Sequence, residues 1–245
     1  MIVSAEAMNA RARPDEQLDD LFSDGWPEFI TADREVKLHI GRVRELFEDL
    51  ELVLLDGDDV IVAAGWAVPL CWSGVPNDLP DGYTATLAQA LADHDGGQQS
   101  NSLIVMAAQV HPDRRGHGLA GKLLSAFIDL AEVRGLSRVI APVRPTLKAR
   151  YPLTPIEDFA AWTRNDGLPL DPWIRTHVRM GASIVKCAPA SQTMTGTVQE
   201  WESWTGLALP DSGSYVIPDG LSPLQVVIAA NLGTYVEPNV WVRHR

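Results

Sequence analysis

The sequence predicts an α/β fold, and three observations support that prediction. The apolar run 102–110 is typical of a buried strand, and the amphipathic stretch 119–134 that follows it is typical of a helix. Residues 51–55 and 60–70, joined by a turn of aspartates and glycine, predict a hairpin. Apolar residues at helical spacing between residues 33 and 50 predict another helix before that hairpin.

Capping signals and apolar runs predict the remaining elements. Further helices are predicted at residues 14–22, 83–94, 155–164 after the capping box Thr154–Glu157, 172–180, and 197–206 after the capping box Thr197–Glu200. Further strands are predicted at residues 137–143, 182–187, 214–217, 224–230 and 239–243.

Composition limits the classes of protein that fit. The chain has 245 residues, 46% of them hydrophobic, with a net charge of −12 that disfavours a nucleic-acid backbone as partner. No apolar run approaches the roughly 18 residues that a membrane span needs. Cys71 and Cys187 stand alone, and the histidines lack metal-ligand spacing. We therefore expect a reduced, cytoplasmic protein without a metal, a membrane or a nucleic acid as partner.

A glycine-rich turn joins the strand 102–110 to the amphipathic helix. Backbone N–H groups at a helix N-terminus lack partners and carry partial positive charge, so such a turn favours an anion. Gly116 and Gly118 let an anion approach the backbone closely. Arg115 and His117 add charge around it. The sequence therefore predicts that this turn binds a phosphorylated cofactor.

One glycine pattern in the turn suggests a dinucleotide. Residues 116–121 satisfy G-x-G-x-x-G, the dinucleotide fingerprint. That fingerprint places its first glycine at the strand end and an acidic residue roughly 20 positions later. Here residues 112–115 intervene, and Arg144 rather than a carboxylate follows the next strand. An NAD(P)-dependent enzyme is therefore the weaker alternative.

A longer pattern fits the same residues better. Arg115, Gly118 and Ala120 occupy the fixed positions of Q/R-x-x-G-x-G/A, after a strand that ends in Val110-His-Pro112 and before a long helix. In this the sequence resembles motif A of the Gcn5-related N-acetyltransferase superfamily, and the order of predicted elements is also similar. The resemblance implies that superfamily's fold, a mixed, mostly antiparallel sheet flanked by helices. It also implies acetyl-CoA or another acyl-CoA as cosubstrate and no metal.

The resemblance assigns roles within the strand and the turn. The turn would hold the pyrophosphate of the acyl-CoA, and the end of the strand would pair with its pantetheine arm. The residues expected to bind the cosubstrate are Ala108, Gln109, Val110, Arg115, Gly116, His117, Gly118, Leu119, Ala120 and Gly121.

Two catalytic candidates follow from the same resemblance. The backbone amide of Val110 or a neighbour would hold the oxyanion of the attacked thioester. His177, four residues before Gly181, stands where relatives often carry a tyrosine general acid. A histidine there is a candidate donor to the departing sulfur, or a base for an ammonium substrate, because its pKa lies in a suitable range. Simple packing of His177 beside Trp173 is the structural alternative.

The general base is less well marked. Many relatives place a glutamate on or beside this strand, and residues 102–111 contain none. Tyr151, Asp158, Asp166 and Glu237 are possible substitutes because they lie in segments expected to shape the acceptor pocket. Proximity and exclusion of water form the alternative that needs no base.

We expect a flexible tail at residues 1–13 and a core at 14–190 with an inserted segment at 144–171. A C-terminal extension at 191–245 would pack on the core sheet or complete it. The expected activity is transfer of an acetyl or other acyl group from coenzyme A to a small-molecule or peptide amine, in a ternary complex. A non-catalytic, CoA-responsive regulatory module is the alternative from another class, and a homodimer is possible.

Overall fold

The structure, a computed structural model, describes residues 4–11 and 26–245. The helices, in chain order, are α1 Arg34–Leu46, α2 Tyr83–Asp95, α3 Leu119–Val133, α4 Ile156–Ala160, α5 Pro172–Arg179 and α6 Val198–Thr205. The strands are β1 Ser4–Ala7, β2 Glu51–Leu55, β3 Ile61–Leu70, β4 Ser102–Val110, β5 Arg138–Val143, β6 Ser183–Gly196, β7 Gly213–Tyr215, β8 Leu224–Val227 and β9 Leu232–Arg243.

The described strands form one mixed sheet. Strands β1 to β5 lie side by side in sequence order, and β9 follows β5. β4 and β5 pair in parallel, and all other described pairs are antiparallel. The C-terminal half of β9 lies between β5 and β6, and its first residues pair with β8. The predicted α/β class, with a mixed, mostly antiparallel sheet, is confirmed.

Helices cover both faces of the sheet. A Cβ added to Gly65 of β3 would lie 3.0 Å from the ring of Phe127, so Gly65 faces α3. The next residue, Trp66, packs edge-on against Tyr83 of α2, with ring centroids 6.2 Å apart. Consecutive strand residues point to opposite faces. α3 therefore covers one face, and α2 covers the other.

A second apolar cluster lies beside the main core. It joins the segment before α1 to the C-terminal elements through buried aromatic rings: Phe29 packs on Tyr235 at 5.0 Å and on Trp201 at 5.5 Å between centroids. Trp201 is the buried residue of α6. The predicted capping box of Thr197 and Glu200 is present at the start of this helix. Burial of such large rings stabilises the C-terminal segment against the sheet.

The N-terminal expectation needs correction. The predicted flexible tail at residues 1–13 is wrong for Ser4–Ala7, which pairs antiparallel with β2, Ser4 opposite Leu55 and Ala7 opposite Leu52. A four-residue edge strand without alternation gives no periodic signal, which is why the sequence did not predict it. The predicted helix 14–22 lies outside the described residues. The division into a core and an extension stays a prediction.

The inserted segment 144–171 also differs in part. The helix predicted at 155–164 is limited to α4, because Thr154 does not cap it and Pro155 stands at the N-cap position without a side-chain hydrogen bond. The chain then forms a bridge between Thr163 and Pro169. At α5 the prediction holds: Asp171 accepts hydrogen bonds from the N–H groups of the second and third helical residues.

A buried ion pair joins the end of β5 to β9. Glu237 has 0% of its surface exposed, and its carboxylate accepts hydrogen bonds from Arg144 and from the hydroxyl of Tyr235. Arg144 also donates to the carbonyl of Asp219 at 2.7 Å. The carboxylate is therefore enclosed by structural partners, and the expectation that Glu237 could act as a general base is wrong.

Removing this carboxylate should destabilise the protein strongly. Glu237→Leu leaves the Arg144 guanidinium buried without its counter-ion, a change that typically costs about 3–5 kcal/mol. Urea denaturation should show that loss in the free energy of unfolding. As a control, Glu132→Leu removes an exposed partner of Arg245 and should change that free energy by less than about 1 kcal/mol. Equal effects of the two substitutions would contradict the structural role of the buried pair.

Candidate active site

The site begins where two neighbouring strands separate. β4 and β5 pair only from Ser102 opposite Arg138 to Ile104 opposite Ile140. Beyond that point β4 continues to Val110 with β3 as its partner, and β5 continues with β9. We call the space between them the β4–β5 gap. On its β4 side it carries backbone N–H and C=O groups without a strand partner among the described residues.

The side chains of β4 fit an open gap. Ala107, Ala108 and Val110 are only half-buried although their strand lies in the middle of the sheet. Trp66 pairs with Ala107 and the next residue of β3 pairs with Val105, so Met106 is an extra residue. Such a bulge bends a strand and increases its local twist. The bulge therefore lies where β4 turns away from β5, and small side chains keep the gap clear.

The glycine turn, residues 111–118, continues β4 into α3. Gly116 and Gly118 have φ values of +82° and +72°, a region that residues with a Cβ rarely adopt. A Cβ added at either position would meet nothing within 4 Å. Gly118 is also the N-cap of α3, so no side chain caps the helix. The first N–H groups of α3 therefore have no side-chain cap, an arrangement suited to a phosphate.

A groove extends from the turn along α3. Its volume is about 490 Å³, and Gly118, Gly121 and Lys122 line one wall while Met180, which follows α5, lies opposite. The Met180 sulfur is 3.6 Å from where a Cβ on Gly121 would stand. Arg115 and His117 are exposed beside it. The structure thus places Gly118 and Gly121 of the predicted loop at this groove, and none of the residues that line the groove belongs to β4.

The opposite face of β4 carries a different set of side chains. Because Gly65 and its partner Ala108 face α3, Gln109 faces the side of α2. The side-chain amide oxygen of Gln109, Oε1, accepts a hydrogen bond of 2.7 Å from the indole N–H of Trp26. Burial raises the pKa of Tyr83, on the same face, above its usual range. Sequence patterns do not point to Trp26 or Tyr83, because neither belongs to a motif.

His177 is placed differently from its predicted role. Only 1% of the residue is exposed, and its Nδ1 lies 2.7 Å from Nε2 of His244. Burial, with a smaller contribution from His244, lowers its pKa to about 3. Trp173 packs on the ring with centroids 4.4 Å apart. The argument that His177 has a suitable pKa for acid or base catalysis is therefore wrong, since a neutral ring has no imidazolium proton to give.

The other candidate bases lie in the inserted segment. Asp158 and Asp166 are exposed, and Asp166 accepts the N–H of Leu168. Tyr151 packs edge-on against Trp162 with centroids 5.0 Å apart. None has a resolved contact with β4, and their roles stay predictions.

Burial of His177 predicts how the stability of the protein depends on pH. Its pKa is lower in the folded than in the unfolded protein, so the unfolded state binds more protons as the pH falls from about 6.5 towards 3. Between pH 6.5 and pH 3, His177 should therefore lower the free energy of unfolding by up to about 1.4 kcal/mol for each pH unit of decrease. NMR of the ring, assigned with His177→Gln, should show a neutral imidazole at pH 5. A titration midpoint near 6.5 would contradict the burial.

Two kinds of feature are absent from the described residues. No helix there is long and apolar enough to cross a membrane. No group of three or more His, Cys, Asp or Glu side chains there is arranged to hold a metal ion.

Comparisons with known proteins agree with this geometry. No family model matches the chain. The arginine N-acetyltransferase avaD of Aspergillus versicolor is 32% identical over 269 residues, covering 96% of this chain and 92% of that protein. The crystal structure of the loading GNATL domain of CurA from Lyngbya majuscula has a TM-score of 0.59 at 17% identity, covering 100% of this chain and 98% of that one. The GphF GNAT-like decarboxylase in complex with isobutyryl-CoA has a TM-score of 0.56 at 20% identity, with the same coverage.

At these identities the two solved structures support the fold alone, whereas the relative from Aspergillus versicolor matches at the level of sequence over nearly the whole chain. Three observations indicate the same family: the separation of β4 from β5, the glycine turn at the N-terminus of α3, and the match to that relative. The chain belongs to the Gcn5-related N-acetyltransferase superfamily and is an acyl-CoA-dependent N-acyltransferase.

Proposed function

We propose that the enzyme transfers an acetyl group from acetyl-CoA to an amine of a small molecule, with free arginine as the first acceptor to test. The observation that supports this most directly is that the glycine turn follows the end of β4, where β4 no longer pairs with β5. The choice of arginine rests on the name of the relative from Aspergillus versicolor. The net charge of −12 is compatible with a cationic acceptor.

In the proposed arrangement the glycine turn holds the pyrophosphate. Residues 115–121 supply N–H groups at the start of α3, where the helix dipole adds positive charge. Open space around Gly116 and Gly118 leaves room for phosphate oxygens next to the backbone. The chain's own groups therefore fit a doubly phosphorylated carrier.

The end of β4 would bind the pantetheine arm. Among the described residues, β5 pairs with β4 only as far as Ile104, and an extended amide chain can pair with the edge of a strand as another strand would, here at residues 108–110. The acyl-CoA supplies a thioester carbonyl. We assign to the Val110 amide or a neighbour the role of donating a hydrogen bond to that carbonyl oxygen as negative charge develops there.

The acceptor amine would enter from the other face. The glycine turn and α3 occupy one side of the sheet, so the side of Gln109, Trp26 and Tyr83 remains for the acceptor. A neutral amine attacks the thioester carbonyl, the C–S bond breaks, and the amine proton passes to solvent. Holding both reactants in one enclosed site accounts for much of the expected acceleration.

Release of free coenzyme A thiol tests the activity. Acetyl-CoA would be mixed with arginine, with agmatine, which lacks the carboxylate, and with Nα-acetylarginine, which lacks a free α-amine. We expect thiol release with arginine and loss of it with Nα-acetylarginine if the α-amine is the nucleophile. Mass spectrometry of the product should show one added acetyl group. Tight CoA binding with no transfer to any amine would favour the regulatory alternative.

The glycine turn can be tested with a matched pair of variants. Gly118→Glu places a negative charge where phosphate is expected, and CoA affinity should fall by roughly 100-fold, about 2.7 kcal/mol. Gly135→Glu is the control, because Gly135 is exposed at the other end of α3 with φ +70° against +72° for Gly118. The two substitutions introduce the same backbone strain. Calorimetric titration with CoA measures the affinity; equal affinities would show that the turn is not the site.

A second ligand addresses the dinucleotide alternative. Acetyl-CoA should raise the melting temperature, by an amount that grows with the logarithm of its concentration relative to Kd, whereas NADP at the same concentration should not. Stabilisation by NADP without stabilisation by acetyl-CoA would overturn the proposed function.

A further inference from the structure

A cavity of about 470 Å³ lies between α1, α2 and β6. Its walls are formed by the start of α1 with its N-cap residue, the start of α2, and residues 190–195 of β6. None of the residues that line it belongs to β4, to the glycine turn or to α3, and Trp26 and Tyr83 do not line it either. Small-molecule sites in proteins typically have volumes of about 300–1,000 Å³. The cavity is thus a separate space, large enough for a ligand of the size of an amino acid.

Asp33 places a buried negative charge at the wall of this cavity. Only 2% of the residue is exposed. Its Oδ1 accepts hydrogen bonds from the N–H groups of Glu35 and Val36, at 3.0 and 3.1 Å. Its Oδ2 accepts one from the hydroxyl of Thr84 at 2.6 Å and one from the N–H of Thr193 at 3.2 Å. All four donors are neutral, so the carboxylate is held in place without a counter-ion among the described residues.

Two further charges line the cavity. Arg34 and Glu35, the first residues of α1, are exposed, and neither side chain forms an ion pair or a hydrogen bond with a described residue. Together with Asp33, they give the wall two carboxylates and one guanidinium. His39 is the remaining titratable side chain of the wall. The charges of the cavity are therefore available to a ligand, and they are unequal in number.

A buried amide also indicates a ligand. Gln192 of β6 is 8% exposed, and its side chain forms no hydrogen bond with a described residue. Protein atoms do not enclose this amide, so it contacts open space, and the cavity is the open space that Gln192 lines. Most buried polar side chains in proteins have a partner. A hydrogen-bond donor and an acceptor on the wall therefore remain available to a bound molecule.

We propose that this cavity binds a free basic α-amino acid, such as arginine or lysine, at a site distinct from that of acyl transfer. Such a ligand carries two positive charges and one negative charge, which complement the two carboxylates and the guanidinium of the wall. The guanidinium of Arg34 binds the α-carboxylate, for which its planar group of donors is well suited. Glu35 pairs with one positive group of the ligand, and the buried charge of Asp33 attracts the other. The amide of Gln192 completes the contacts.

Other classes of ligand match the wall less well. A neutral amino acid leaves one carboxylate without an opposite charge, and an amine that lacks a carboxylate leaves Arg34 unpaired. The inference goes beyond the proposed function because it concerns a second site, and it does not depend on which amine the enzyme acylates.

Backbone and side-chain amide NMR locates the bound ligand. Arginine would be added to the ¹⁵N-labelled protein in the absence of any acyl-CoA. We expect the backbone amides of Thr84 and Thr195 and the side-chain amide of Gln192 to shift and to saturate together. Absence of these shifts would overturn the inference. Shifts confined to Gln109 and to the indole N–H of Trp26 would also overturn it, although they would agree with the acceptor side of the proposed function.

A panel of three ligands tests the charges, with the affinity for the cavity taken from the same amides. Citrulline has a neutral ureido group in place of the guanidinium of arginine, and agmatine lacks the α-carboxylate. We expect each to bind roughly fivefold more weakly than arginine, the upper range for one exposed pair of charges. Equal affinities of the three ligands would overturn the inference.

Two pairs of variants assign the charges to residues. Glu35→Gln should weaken the binding of arginine roughly fivefold, whereas Glu45→Gln, at an exposed acid of α1 outside the cavity, should change it less than about twofold. Arg34→Gln should abolish the preference for arginine over agmatine, because only that side chain is assigned to the carboxylate. Lys37→Gln, also exposed on α1 and outside the cavity, should keep the preference.

A preference that survives Arg34→Gln, or equal effects of Glu35→Gln and Glu45→Gln, would overturn the inference. Should a variant fail to fold, the three ligands and the unaltered protein still decide the question. Release of coenzyme A thiol is measured separately, so its absence with every amine would reject the proposed function without changing the affinities at the cavity.

Discussion

The separation of β4 from β5 is the constraint on which the rest of the site depends. Inside a sheet nearly every backbone N–H and C=O group has a partner, yet among the described residues β5 pairs with β4 only from Ser102 to Ile104. The fold tolerates this because β3 holds β4 from the other side as far as the N–H of His111, which donates to Val62. β9 meanwhile holds β5. Two flanking strands thus keep the gap open, and in the proposed function an extended substrate binds there.

The features that the sequence predicted are local ones. A strand, two glycines and an amphipathic helix follow each other between residues 102 and 134, so periodicity and the helix N-terminus define the turn without any knowledge of distant contacts. The capping aspartate before α5 and the capping box of α6 were predictable for the same reason. The fold class followed because the order of these elements leaves few arrangements of the sheet.

The features that the sequence did not predict depend on residues far apart in the chain. His177 is buried by a partner 67 positions away, and Glu237 by an arginine 93 positions away. No spacing rule links such pairs, so the sequence alone does not show that these side chains are buried. β1 has too few residues for a periodic signal. Local pattern therefore located the glycine turn, whereas the surroundings of the titratable side chains required the tertiary structure.

The place of β9 in the sheet affects how the chain can fold. Residues 232–243 fill the position beside β5, although the segment from residue 144 to 231 separates them in sequence. While a ribosome is making that segment, the strand at 138–143 has an open hydrogen-bonding edge in the middle of the future sheet. Exposed strand edges favour association with other chains, and long-range pairings form slowly. Nascent chains of this protein should therefore need protection by chaperones until β9 has emerged.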